Sequence, residues 1–494
     1  MSESGCISYR QIFRATSIFG GVQVFSVVIN LLRAKVIALF LGPEGMGIFY
    51  LFQQPLTIIN QLFGLGIGSS GIRDVAKAES SGNQLEISQT IETVKKWTFL
   101  GGLAGTFFTL VFARRLSLWS FGNEEFAWSF VWLSGTVFLT TVSNGYDAVL
   151  KGTRRIKQIA KAGIVSSSIG LVASVPLYYY LGLKGIVFGI IATTIALFTA
   201  NRYYTSRLKY EHSEQSVSEI YGRGKKMASL GIMMVLASIM ETFAMYIVSM
   251  YIRSKGDAGD VGLFQAALQI TNVSVGLVYT AMAGDYYPRL SAVCGVRSKV
   301  NELVNQQAEI AAIITAPILI GLMIFSPFLI RILLSSEFIP VTGFVNWILF
   351  ASLLRSLYWT IHWIMLAHGD TRMFFYMCLI PNILTVALYL PLYNYAGINA
   401  LGIGYLVQNL ITAVVLYFAL RKKYFLIIHT GFFRIFFIGI LSGIIVLLSL
   451  VYPGGYYGYA IGISVMAALS WYSFRELDRR VEISSIISKF RKHG

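Results

Sequence analysis

The chain is 494 residues long, 55% hydrophobic and only 13% charged, with mean hydropathy +0.65. A soluble globular chain carries about 25% charged residues, so this composition excludes a dissolved enzyme and points to a protein that crosses a membrane repeatedly. Cys6, Cys294 and Cys378 are too scattered for a disulfide framework or a cysteine metal site, and the net charge of +17 takes its meaning from where the charges fall.

The polar opening, MSESGCISYRQIFRATS, carries Arg10 and Arg14 ahead of an apolar run and lacks a small-residue cleavage site. The first apolar segment therefore reads as a retained helix. At about 20 apolar residues per crossing, about fourteen spans follow: 16–41, 47–71, 97–113, 126–147, 159–181, 183–203, 227–250, 261–285, 308–333, 341–366, 374–395, 398–420, 433–452 and 455–474. With the N terminus inside and an even number of spans, most of the forty Lys and Arg fall in cytoplasmic segments. The outer loops keep only Arg114, Arg115, Lys184, Arg253, Lys255 and Arg331. This positive-inside bias places both termini in the cytoplasm and explains most of the basic charge. Attraction to anionic membrane lipids comes with it. No nucleic-acid module accompanies the charge, so nucleic acid is not an expected partner.

Shifted by 215 residues, the chain overlays itself. GMGIFYLFQQPLTIINQLFGLGIG from Gly45 lies over DVGLFQAALQITNVSVGLVYTAMA from Asp260, matching Gly47 with Gly262, Phe49 with Phe264, Gln54 with Gln269 and Leu62 with Leu277. Six spans per half is an even number, which makes the halves parallel repeats about an axis along the membrane normal. The expected organisation is an N-terminal six-helix lobe at 1–210, a second at 211–423, two further helices within 424–474, and a basic cytoplasmic tail at 475–494.

Ionisable groups at membrane depth are costly and mark function by default. On the first helix Gln23, Ser26, Asn30 and Arg33 recur at spacings of 3, 4 and 3 and form one stripe. Lys35 lies about 200° round the helix from Arg33. It is open between a site residue and an anchor whose stem snorkels to the interface. At the repeat offset the stripe maps to Ser238, Glu241, Met245 and Val248, and Glu241 is expected to be a buried carboxylate aimed at a shared cavity. The second helix continues with Gln54, Thr57 and Gln61, and the eighth with Gln265, Gln269 and Asn272. Such amides suit substrate contact and interhelical bonding equally. Arg355, Trp359 and His362 share a face of the tenth helix, which suits either a phosphate and sugar rings or a packed core. There is no phosphate-binding loop, zinc-protease motif or nucleophile elbow, so no cofactor is expected and an enzymatic role is disfavoured.

The stretch LFLGPEGMGIFYLFQ, followed by GIRDVAKAESSGN, resembles the Wzx-like O-antigen and polysaccharide flippases of the multidrug/oligosaccharidyl-lipid/polysaccharide exporter superfamily. Its specific residues lie between about Arg33 and Asn83, and the layout agrees over the whole chain. The resemblance implies an all-α, two-lobed bundle in a bacterial inner membrane that moves polyprenyl-diphosphate-linked oligosaccharide to the outer leaflet. It brings with it coupling to H+ or Na+ and polysaccharide polymerase partners. In similar flippases basic residues of the first helices line a central cavity and meet the diphosphate; Arg33 matches that position and Lys35 competes for it. Glu241 has no motif match, and its assignment as coupling-ion candidate rests on the stripe. A cation-coupled drug exporter of the same superfamily would want an acidic cavity, whereas Arg33, Lys35 and Arg355 outweigh Glu241. A membrane enzyme acting on lipid-linked sugar or acyl groups would need a deep catalytic group, for which His362 is the candidate.

Overall fold

The computed structural model describes residues 25, 27–208, 210, 216–452 and 455–481. Nearly all of them are helical, with no strand among them. They group into two compact units divided after Gly262.

The first unit begins with α1 (27–40) and α2 (Gly42–Phe63), which has Pro in its first turn where no amide is needed. The span expected at 47–71 ends early. Leu65 and Gly66 both take positive φ, the chain turns, and α3 (Ile67–Ser81) starts anew. Gly66 is required twice over: a side chain there would also stand 2.0 Å from the Gly231 carbonyl oxygen. Next comes α4 (Gln84–Val111), capped by the Asn83 side chain. A bend of 68° leads to α5 (Ala113–Phe121); at its other end the helix begins about three and a half turns before the start expected at 97. Then α6 (Ala127–Gly152) precedes a hairpin of α7 (Ile156–Leu181) and α8 (Gly185–Ser206). Its arms touch where Gly170 meets Thr193 and Gly189 meets Tyr178, as the expected break near residue 182 requires. A capping box of Ser216 and Glu219 opens α9 (Val217–Lys255).

The helix α10 (Ala258–Val293) follows. Its first turn crosses the first turn of α2 with backbone against backbone. A Cβ on Gly47 would sit 1.7 Å from the Ala258 oxygen, and one on Gly262 would sit 1.9 Å from the Pro43 oxygen. Position 43 plus 215 is 258, and 47 plus 215 is 262. The contact is therefore reciprocal under the repeat offset, with each turn meeting its own equivalent.

In the second unit the rest of α10 packs with α11 (Arg297–Ile324) around Tyr286, Leu290, Val304 and Ala308. The span expected at 308–333 stops at Ile324, because Ser326-Pro327 opens a separate short helix, α12 (Ser326–Leu333). After α13 (Thr342–Ala367), α14 (Thr371–Tyr424) folds back on itself at Ala396 and Gly397, where the boundary at 395–398 was expected. Tyr389 donates to Gln408 across this hairpin, 3.3 Å. Two more helices close the chain, α15 (Thr430–Val451) and α16 (Gly455–Val481).

By length and apolarity alone, six helical stretches among the described residues qualify as membrane spans, and two of these, 156–206 and 371–424, each hold a hairpin. Trp132, Val172, Phe437 and Leu441 stay largely exposed. Such patches would drive a soluble protein to aggregate; on helices this long they suit lipid contact. The chain is a multi-pass membrane protein.

Near the end of α16, beyond the apolar segment, Glu476 ties three elements. It accepts from Arg434 of α15 at 3.1 Å and from Arg479 and Arg480 of its own helix at 3.3 and 2.5 Å. Arg480 also donates to Glu309 of α11, 2.9 Å. The Arg480 hydrogen bond holds the Glu476 carboxyl below its ordinary range. A depressed carboxyl stabilises the fold above the unfolded value and loses that contribution as pH falls through the folded one. Thermal stability in detergent should therefore decline below the ordinary glutamate value of about 4.3. Glu476→Gln should flatten that decline and cost about 1–3 kcal/mol at neutral pH. Identical melting profiles for the two proteins from pH 3 to 7 would show that the cluster contributes nothing.

Candidate functional site

A cavity of about 440 Å³ opens inside the first unit, between α2, α3, α4, α6 and α8, with Val235 of α9 also in its lining. The volume lies within the range of small-molecule sites. Helical spacing explains the polar wall. Gln53, Thr57, Asn60, Gln61 and Gly64 recur along one side of α2. Thr136, Thr140, Asn144, Asp147 and Lys151 recur on α6 at spacings of 4, 4, 3 and 4.

Part of this wall is satisfied internally. Thr141 donates to the Asn60 side-chain oxygen at 2.8 Å, which joins α6 to α2. Thr57 and Thr194 return their hydroxyl hydrogens to their own helices at 2.7 and 2.8 Å. Gln61 donates to Ser238 at 3.2 Å and to Thr242 at 3.5 Å, which holds α9 against α2. Asp147 and Lys151 pair at 2.6 Å, so the charges in the lining cancel. The Gln61 side-chain oxygen is buried without a hydrogen-bond partner among the described residues. The side chains of Gln53, Thr140 and Asn144 likewise form no hydrogen bond within the described residues, and each faces the cavity.

The residues singled out by sequence are dispersed. Gln61 lines the cavity. Gln54, one position from Gln53, is buried at 8% exposure outside the lining. Arg33 is half-buried; it donates to the Thr193 hydroxyl of α8 and lies beside Tyr178 of α7. Thr193 precedes the cavity-lining Thr194, so the Arg33 guanidinium occupies the neighbouring face of the same helix. Asn30 is exposed and Lys35 half-buried, while Gln23 and Ser26 lie outside the described residues. In the second unit Gln269 is half-buried and Asn272 exposed. Arg355 stacks over the Tyr279 ring at 5.5 Å, and Trp359 lies 4.9 Å from the same ring. His362 turns instead to Phe374, 5.2 Å away.

Glu241 requires a correction. It was expected to be a buried carboxylate, and it is exposed. The reason is its level along α9: Val248 and Ile252, on the same face of the helix, are buried further toward its C-terminal end, whereas the middle of the helix is thinly covered. Met233, Met234 and Phe243, on different faces at the same level, are left open in the same way. The α6 stripe carries no comparable signal in the sequence. Its spacing is as regular as that on the first helix, but its members are mostly uncharged, and Lys151 reads as a cytoplasmic anchor.

Comparison with known proteins fits this architecture. The lipid III flippase of Escherichia coli strain K12 is 23% identical over 351 residues, covering 70% of this chain and 82% of that protein. Among solved structures, the lipid II flippase MurJ in an inward closed conformation superposes with a TM-score of 0.72 at 16% identity, covering 93% of this chain and 98% of the other. An inward-facing multidrug resistance transporter of the MATE family and MOP superfamily gives a TM-score of 0.69 at 17% identity, covering 81% and 94%. The fold is thus that of the MOP transporters. The profile described as polysaccharide biosynthesis protein matches residues 36–342, a stretch that takes in the whole cavity wall and more than half of the chain, and the protein belongs to that family.

Proposed function

We propose that the protein is a flippase for lipid-linked oligosaccharide. It carries polyprenyl-diphosphate-linked glycan units, of O-antigen or a related polysaccharide, from the cytoplasmic to the outer leaflet of a bacterial inner membrane. The polar, charge-balanced cavity inside an otherwise apolar helical unit carries this reading. A drug exporter for organic cations would need an unpaired carboxylate and apolar or aromatic walls, whereas here Asp147 is paired and no aromatic residue lines the cavity. Membership of a polysaccharide biosynthesis family and the likeness to a lipid III flippase support the same substrate class.

In this reading fourteen spans form two six-helix lobes, 1–210 and 211–423, that rock about the substrate, with 424–474 as accessory helices and both termini cytoplasmic. A diphosphate cannot cross hydrocarbon unaided, and Arg33 replaces its hydration. An interior-negative potential favours outward movement of the anion by roughly 2.3 kcal/mol per charge per 100 mV. Glu241, exposed on α9, is the residue proposed to take the coupling H+ or Na+. Expression in a strain lacking its own polysaccharide flippase should restore surface polysaccharide and clear lipid-linked intermediate from the cytoplasmic leaflet. Persistent accumulation there, with the protein present in the membrane, would overturn the assignment.

A further inference from the structure

The cavity in the first unit has a chemistry of its own, separate from that of Arg33. Its unused hydrogen-bonding groups include the Gln53 and Asn144 amides, the Ser69 and Thr140 hydroxyls and the Gln61 oxygen. All are neutral, and together they offer both donors and acceptors. A phosphate is an acceptor-only anion and is best held by Arg, Lys or clustered N–H donors. The one cation in this wall, Lys151, is already joined to Asp147 at 2.6 Å, and the exposed amide and hydroxyl oxygens would repel an anion. An organic or metal cation fares no better, because the one carboxylate is engaged in the same pair. A ring bearing several hydroxyl or acetamido groups matches on every count. Each of its hydroxyls both donates and accepts, it carries no charge to desolvate, and it matches unpaired amides that cost free energy when left dry.

We propose that this cavity is a saccharide subsite, which takes a neutral sugar ring of the lipid-linked substrate while the diphosphate is held elsewhere. The assignment rests on the flippase reading above and sharpens it. The α6 wall then selects the glycan, and the region of Arg33 retains the common lipid anchor. Thr140 and Asn144 lie one helical turn apart on α6 and Gln53 faces them from α2, so the ring would be held from two sides.

The test measures binding by the full-length protein in lipid nanodiscs of two probes, polyprenyl diphosphate and polyprenyl-diphosphate-linked N-acetylglucosamine. The native protein should bind the glycosylated lipid about tenfold more tightly than the bare one, as a few added neutral hydrogen bonds allow. Thr140→Val with Asn144→Leu keeps the shape of the wall and removes its polar groups. That double variant should erase the preference and leave affinity for bare polyprenyl diphosphate intact. Gln53→Met, on the facing helix, should reduce the preference in the same direction and serves if the double variant does not fold. Equal weakening of both probes would overturn the proposal in favour of a diphosphate site, and an unchanged preference would overturn it outright. If the native protein binds both lipids equally, the subsite falls and the flippase reading stands. If it binds neither, the flippase reading falls and takes the subsite with it.

Discussion

Arg33→Ala is expected to abolish surface polysaccharide in a complemented strain while the protein remains in the membrane at normal level. Removing the charged partner of a desolvated anion costs about 2–5 kcal/mol, roughly a thirty- to several-thousandfold loss of headgroup affinity. The structure supplies the control that separates this role from simple packing. Arg33 donates to the Thr193 hydroxyl, so the bond that ties α1 to α8 can be removed from the other side. Thr193→Val should keep most of the polysaccharide, because it deletes one neutral hydroxyl worth about 1 kcal/mol and leaves the guanidinium in place. Arg33→Lys should restore only part of the activity, since an ammonium cannot present the planar fork that a diphosphate engages in two bonds. If Thr193→Val is as damaging as Arg33→Ala, Arg33 is a packing tie and the diphosphate is held by other residues.

The second large effect is structural. Gly47→Leu should prevent accumulation of folded protein, because its first side-chain carbon would stand 1.7 Å from the Ala258 oxygen. A clash with backbone cannot be relieved by rotating a neighbouring side chain. Overpacking of ordinary sites costs about 1–3 kcal/mol, and here two helix starts would have to separate. Gly262→Leu should fail in the same way against Pro43. The matched control is Gly135→Ala on α6, where an added carbon meets nothing within 4 Å. Replacing a helix-interior glycine in open space should be neutral or stabilise by up to about 1 kcal/mol. The readout is the monodisperse fraction and melting temperature of detergent-solubilised protein. A monodisperse Gly47→Leu protein with an unchanged melting temperature would show that the crossing tolerates separation.

The helix pattern was legible in the sequence where a glycine falls between two long apolar runs. The breaks near Gly182 and Gly397 were placed to within a few residues, because there a positive φ coincides with a loss of apolar periodicity. The ends at Phe63 and Ile324 were not, although Gly64, Gly66 and Pro327 follow them. Each is followed within a few residues by another helix, and composition alone does not distinguish a bend from a continuing span. The site was less legible for a different reason. Charged residues announce themselves in a membrane segment, and Arg33, Lys35, Glu241 and Arg355 stand out for that reason. The cavity wall is built from Thr, Asn and Gln, which helices also bear for their own bonding. Only the three-dimensional accounting of which hydroxyls and amides are already used separates one role from the other. Glu241 shows the converse error, since a repeat can carry a residue to an equivalent position without an equivalent environment.

The crossing of α2 and α10 also bears on the history of the chain. Because positions 43 and 47 meet 258 and 262 reciprocally, the contact has the form of a turn packed against its own copy. Such a contact fits an ancestor of half the length that paired as a homodimer, in which a single glycine met itself across the two-fold. In that ancestor one mutation would have struck both sides of the contact at once. In the present chain each glycine confronts the backbone of the other turn, so a side chain at either position alone meets backbone.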